Sequence, residues 1–315
     1  MLRKSLLPHN RLRTLTRYPL AFTAPCSRHT TAAMPHQTKT TLGVPNRLRE
    51  RLDRDEVGSS MSIKLCTSVE IVGLAKAAGY EAILIDMEHN AFSLSTTNQL
   101  SCAALAHNIT SLVRVPANEP QWISRCLDGG ATGVIVPHVS SVAEAKAAVR
   151  AARFPPLGMR SAVAPHPQLQ YEHLPARTAN ELCNNGTLLI VMVENQAGLD
   201  CVDEMAAIDG IDLILIGTND LTQELGIPGE YDHALISAAY SKVIAAARRN
   251  GKHAGVGGIN SRMDLVAKFV DEGARFVMAG TDLPFLLGAA RKRGDEMAAL
   301  REKTAAAGVP QAVGR

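Results

Sequence analysis

Glu194 and Asp220 each close a short apolar run, Leu188-Leu-Ile-Val-Met-Val-Glu194 and Leu213-Ile-Leu-Ile-Gly-Thr-Asn-Asp220. An acid is costly beside apolar strand residues unless a cation or a hydrogen-bond donor offsets its desolvation. Two hard carboxylates, completed by water and substrate oxygens, suit Mg2+ or Mn2+ better than a closed zinc cage. Either acid alone fits a helix cap or an arginine pair equally well; it is their joint placement that points to a metal.

A third run, Ala82-Ile-Leu-Ile-Asp86-Met-Glu-His89, ends in the same way. Asp86 stands three residues before His89, close enough to orient the imidazole and raise its basicity, so His89 is the expected general base. Glu88 lies between them, and strand alternation turns it away from Met87 and His89, leaving it without an assigned role. Arg114, in Leu112-Val-Arg-Val-Pro116, is a fixed cation suited to a developing oxyanion, or to a salt bridge with a rim carboxylate. The segment Gly217-Thr-Asn-Asp-Leu-Thr-Gln-Glu-Leu-Gly226 reads as a strand end feeding a short helix, whose first amides can receive a substrate carboxylate.

Something must hold these groups on one rim. From Asn46 onward, apolar runs of strand length alternate with amphipathic helical stretches. Strands are expected at about 60–66, 82–88, 110–115, 133–138, 188–194, 213–217, 253–257 and 275–280. Helices are expected at about 67–79, 95–107, 119–129, 141–153, 197–209, 231–250, 261–273 and 283–306. Eight of each over this length predict an α/β fold of the (β/α)8 TIM barrel type, whose reactive groups gather at the C-terminal ends of the strands. A doubly wound sheet would carry a Gly-x-Gly-x-x-Gly turn after its first strand, and Lys64-Leu-Cys-Thr-Ser has none. The stretch from Pro155 to Gly186 reads as one long irregular connection.

The barrel is expected over 46–306, with an extension at 1–45 and a tail at 307–315. Nine of the 33 Lys and Arg precede the first acid, Glu50, so the remainder carries 24 basic against 30 acidic residues. No basic patch argues for nucleic acid. The extension, rich in Arg, Ser, Thr and Pro, is similar to a mitochondrial presequence. It predicts the mitochondrial matrix if it is one, and the cytoplasm if it is a disordered tail or if translation starts at Met34. The six cysteines lack Cys-x-x-Cys spacing and read as free thiols. No apolar stretch reaches the roughly 20 residues of a membrane helix, so no membrane partner is expected.

Taken together, these passages resemble the HpcH/HpaI aldolase family, metal-dependent pyruvate aldolases of the phosphoenolpyruvate/pyruvate barrel type. The matching segments are Ile85-Asp-Met-Glu-His89, Val113-Arg-Val-Pro116, Leu127-Asp-Gly-Gly-Ala131, Val134-Ile-Val-Pro137, Phe154-Pro-Pro-Leu-Gly-Met-Arg-Ser161, Met192-Val-Glu194 and Ile216-Gly-Thr-Asn-Asp-Leu221. The resemblance implies that Glu194 and Asp220 bind a divalent ion, Mg2+ or Mn2+, with Co2+ as a third choice. It implies that His89, oriented by Asp86, is the base acting through a water, and that Arg114 stabilises the pyruvate enolate. The amides of Gly217, Thr218, Asn219 and Asp220 would hold the carboxylate. Asp128 would approach a neighbouring subunit's site, and the helix after Pro284 would exchange between subunits, in a dimer-based homo-oligomer of up to six chains.

Well-known bacterial members have Gln two residues before the metal-binding Glu, where this chain has Met192, which offers no amide donor. Thr218-Asn219 likewise replaces a common Pro-Ala. The expected reaction is reversible retro-aldol cleavage of a 4-hydroxy-2-oxoacid to pyruvate, or a close 2-oxoacid, and an aldehyde. Its rivals are oxaloacetate decarboxylation at the same site, a Schiff-base aldolase using Lys64, and a non-catalytic barrel that binds a 2-oxoacid. The bland reading of Lys64 is an outward-facing, snorkelling side chain.

Overall fold

Every strand of the barrel alternates between two apolar surroundings, and that alternation decides which residues reach the mouth. The computed structural model describes residues 43–306. The expectations for the targeting segment, the start at Met34 and the tail at 307–315 lie outside the described residues, apart from residues 43–45.

Eight parallel strands close in sequence order into a barrel: β1 Gly58–Ile63, β2 Ala82–Asp86, β3 Thr110–Arg114, β4 Gly133–Val136, β5 Leu188–Val193, β6 Leu213–Gly217, β7 His253–Gly257 and β8 Phe276–Thr281. One set of side chains, including Leu84, Leu112, Ile135, Ile190, Met192, Leu215 and Phe276, packs in the lumen. The other, including Ile85, Val113, Val136, Val191, Val193 and Ile216, packs against the surrounding helices. The (β/α)8 expectation is therefore met, with strand ends within about three residues of those read from the sequence.

Helices α1 Arg47–Leu52, α2 Glu70–Ala77, α3 Leu94–His107, α4 Pro120–Asp128, α5 Val142–Ala152 and α6 Ala176–Gly186 lie in the first half. They are followed by α7 Gln196–Asp200, α8 Val202–Ala206, α9 Thr218–Glu224, α10 Ala234–Arg249, α11 Met263–Glu272 and α12 Asp282–Ala306. The sequence reading lacked α1, which plugs the N-terminal end of the barrel by inserting Leu48 and Leu52 into the lumen cluster. Its start is fixed by Asn46, whose side chain accepts from Arg49 N and donates to Thr132 O. The single helix expected over 197–209 is two short ones, broken at Cys201.

The connection from Pro155 to Gly186 is not irregular throughout: it holds a 3-10 turn at Pro167–Leu169 and all of α6. Phe154, Leu169, Ala179 and Cys183 form a separate small core there, which gives the segment its own reason to be ordered. The five cysteines among the described residues are free.

Candidate functional site

Extending the lumen alternation past the last apolar layer gives the site. On β2 the inward series Ala82, Leu84 continues to Asp86 and Glu88; on β3, Leu112 leads to Arg114. On β5, Ile190 and Met192 lead to Glu194, and on β6, Leu215 leads to Gly217. On β1, Ser60 and Ser62 lead to Lys64, which therefore turns inward, contrary to the outward-facing reading. At the C-terminal mouth lies a cavity of about 210 Å³ whose lining includes Lys64, His89, Arg114, Met192, Gly217, Thr218, Asn219 and Asp220. Seven of these were named from sequence as catalytic, binding or neighbouring residues, and the fold brings them to one wall.

Asp86 is fully buried and carries two cations. Its Oδ1 accepts from Arg114 Nε at 2.9 Å and its Oδ2 from Arg114 Nη2 at 2.5 Å. Lys64 Nζ lies 2.9 Å from the same Oδ2. Burial alone would raise this carboxyl, but Arg114 and Lys64 outweigh it and hold it down at about 2. The backbone N–H groups of Glu88 and His89 also donate to Oδ1. Asp86 thus holds the backbone under His89, not its imidazole, because the arginine fork occupies both carboxylate oxygens. The His89 ring is half-exposed, with Nε2 3.8 Å from Glu88 Oε2.

Glu88, left without a role by the sequence reading, is central. Its Oε2 lies 2.9 Å from Arg114 Nη1, at an angle that makes no hydrogen bond, and its Oε1 lies 2.7 Å from His138 Nε2. The inward alternation from Asp86 to Glu88 was the available signal. Lys64 carried the same signal, since it continues the inward alternation of Ser60 and Ser62. Asp282 fixes the loop that carries Lys64 by accepting from the backbone N–H groups of Lys64, Leu65 and Cys66 at 2.8–3.0 Å.

Glu194 is 2% exposed. Its Oε2 accepts from the backbone N–H of His138 at 2.9 Å and faces His138 Nδ1 at 3.0 Å. Its Oε1 is buried with no partner in the protein. Burial, with Asp220 and Glu88 nearby, pushes the Glu194 carboxyl well above the usual carboxylate range, although the His138 N–H opposes this. Gly217 makes the room: a Cβ there would collide with Glu194 Oε1 and come within 2.8 Å of Met192 Cε. A buried oxygen that neither Arg114 nor Lys64 reaches with a hydrogen bond, with a second carboxylate beside it, fits a divalent cation. Among the described residues no three His, Cys, Asp or Glu side chains form a ready-made metal cage, so most positions on such an ion would be left to water and substrate.

The side chains of three of the named residues are engaged within the protein. The Thr218 hydroxyl is buried, donates to Gly257 O at 2.6 Å and meets Tyr240 OH at 2.7 Å, which leaves its backbone as its face to the cavity. The exposed Asn219 accepts from Tyr231 OH at 2.7 Å. Asp128 does not line the cavity; it pairs with the buried Arg160 at 2.6 Å.

Comparison with known proteins adds to this geometry. The profile of the HpcH/HpaI aldolase/citrate lyase family matches residues 66–289. A 4-hydroxy-4-methyl-2-oxoglutarate aldolase from Chaetomium globosum is 36% identical over 208 residues, covering 65% of this chain and 77% of that one. A 5-keto-4-deoxy-D-glucarate aldolase from Klebsiella pneumoniae is 31% identical over 80% of this chain and 96% of its own length. Among solved structures, an HpcH/HpaI aldolase from Desulfitobacterium hafniense superposes with a TM-score of 0.73 at 26% identity, covering 79% of this chain and 96% of that one. The citrate synthase SbnG superposes with a TM-score of 0.70 at 27% identity, covering 82% and 98%.

Proposed function

Because this chain belongs to the HpcH/HpaI aldolase/citrate lyase family, we propose that its carbon–carbon lyase chemistry is the reversible cleavage of a 4-hydroxy-2-oxoacid into pyruvate, or a close 2-oxoacid, and a carbonyl partner. The observation that carries the reading is the buried, unpartnered Glu194 Oε1, packed against Gly217 and Met192 at the edge of the cavity that Asp220, Arg114 and His89 line. Glu194 and Asp220 would hold a divalent ion, Mg2+ or Mn2+ before Co2+. When bound, such an ion supplies Lewis-acid stabilisation of enolate charge.

The chain's own residues do the rest. The backbone amides at Gly217–Asp220 orient the substrate carboxylate. His89 removes the 4-hydroxyl proton, through a water. The C3–C4 bond breaks, its electron pair becomes the enolate, and the C4 oxygen becomes a carbonyl. Arg114, held rigid by Asp86, faces the enolate oxygen. Protonation at C3 then releases pyruvate.

The relatives named as 4-hydroxy-4-methyl-2-oxoglutarate aldolases, from Chaetomium globosum and Hapsidospora irregularis, make that dicarboxylate the first substrate to assay. Its retro-aldol cleavage yields two pyruvates. Long α12 leaves Leu283, Phe285, Leu286, Met297 and Leu300 exposed on the single chain, which supports a homo-oligomer.

Asp220→Ala should abolish pyruvate release from this substrate, and undiminished turnover would sink the reading. EDTA should inactivate the enzyme reversibly. Borohydride with pyruvate should trap nothing; a covalent adduct on Lys64 would instead establish the Schiff-base route.

A further inference from the structure

His138 spans the mouth between β5 and β2, and nothing in the reaction above uses it. It follows β4 by two residues and adopts φ 55, in the left-handed region that a non-glycine residue occupies only at a cost. The turn is stitched to β5 on both sides. Val139 N–H donates to Met192 O at 3.1 Å, Ser140 Oγ donates to His138 O, and Asn195 Nδ2 donates to Ser140 Oγ at 2.6 Å. In this conformation the N–H and Nδ1 of one residue meet one oxygen, Glu194 Oε2, at 2.9 and 3.0 Å. The far ring nitrogen lies 2.7 Å from Glu88 Oε1.

We propose that His138 is a positioning residue: it fixes Glu194 by Oε2, with Glu88 bracing the ring from across the mouth, so that Oε1 alone faces the cation. In doing so it takes the place of the amide donor that Met192 lacks. A pair serving only stability would satisfy both oxygens of a buried carboxylate, whereas here Oε1 is left without a partner, in a position that the missing Cβ of Gly217 allows. The inference rests on the reading of Glu194 as a metal ligand.

The test is direct Mn2+ binding to the full chain, freed of metal and titrated with Mn2+ alone, with free Mn2+ read by electron paramagnetic resonance. His138→Gly should bind about 10- to 100-fold more weakly than the unaltered protein, the range typical for loss of a group that orients a metal ligand. Its metal-free thermal midpoint should be unchanged or higher, because glycine adopts positive φ freely. His138→Asn, which tolerates the left-handed region and presents a side-chain N–H donor, should recover most of the affinity.

Equal Mn2+ affinity in His138→Gly and the unaltered chain overturns the proposal. So does a nitrogen coupling to bound Mn2+ that His138→Gly removes, because His138 would then be a ligand. Asp220→Ala separates the two readings. If it abolishes binding while His138→Gly does not, the metal site stands and the role of His138 falls; if the unaltered chain binds no Mn2+, both fall.

Discussion

Arg114 grips Asp86 with two parallel hydrogen bonds, Nε to Oδ1 at 2.9 Å and Nη2 to Oδ2 at 2.5 Å, in a pair 5% and 0% exposed. Such a fork fixes the plane of the guanidinium and leaves Nη1 for Glu88. Its cost is desolvation of both ions, so its consequence is rigidity more than net stability. Asp86→Ala would leave a buried guanidinium and Lys64 without their shared anion. A loss of about 3–5 kcal/mol is expected in urea unfolding. A loss below about 1 kcal/mol would mean that water reaches the pair and that the fork does not organise the mouth.

The same pair predicts an acid limb. The Asp86 carboxyl is held at about 2, below its ordinary value of 3.8. A depressed carboxylate contributes stability that is present above the unfolded value and is lost as pH falls through the folded one. The contribution, roughly 2 kcal/mol, should therefore disappear between about pH 4 and pH 2. Asp86→Asn, less stable at neutral pH, should lack this part of the decline. Parallel stability curves for the two proteins across that window would refute the assignment.

Gly217 is fixed by neither turn geometry nor positive φ, but by Glu194. Gly217→Ala puts a methyl group onto Glu194 Oε1 and Cγ and against Met192 Cε, so the carboxylate must move. We expect overpacking of about 1–3 kcal/mol in unfolding experiments and a loss of Mn2+ binding larger than that change explains. Retained Mn2+ affinity in a folded Gly217→Ala variant would show that Oε1 does not face the ion.

The barrel and most of its rim were legible in the sequence because parallel strands buried on both sides read as apolar runs, and the acids that end them stand out. What was not legible depended on contacts between strands. His138 was visible as a strand-end residue, but its role arises from a left-handed turn that aims it at acids on β2 and β5. The Asp86–His89 spacing suggested an orienting bond, yet Arg114 on β3 is a stronger partner and takes the carboxylate. The Thr218 hydroxyl, whose partners Tyr240 and Gly257 are both distant in sequence, turns away into the barrel wall, and the spacing of residues gave no sign of that. Helix α1 went unread because six residues carry too few turns for an amphipathic pattern.

Met192 and His138 should be coupled. Met192 is 3% exposed in the lumen, beside Gly217. A glutamine there would bring an amide donor to Glu194, whose Oε2 is already engaged by His138. The new donor would therefore reach Oε1 and compete with the cation. Met192→Gln alone is expected to weaken Mn2+ binding, whereas in a His138→Gly background the amide can take Oε2 and return affinity. The four proteins form a double-mutant cycle in which the second substitution reverses the first, with a coupling of about 1–3 kcal/mol. Additive losses in Mn2+ titrations would show that the two side chains do not share Glu194, and would leave Met192 as lumen packing alone.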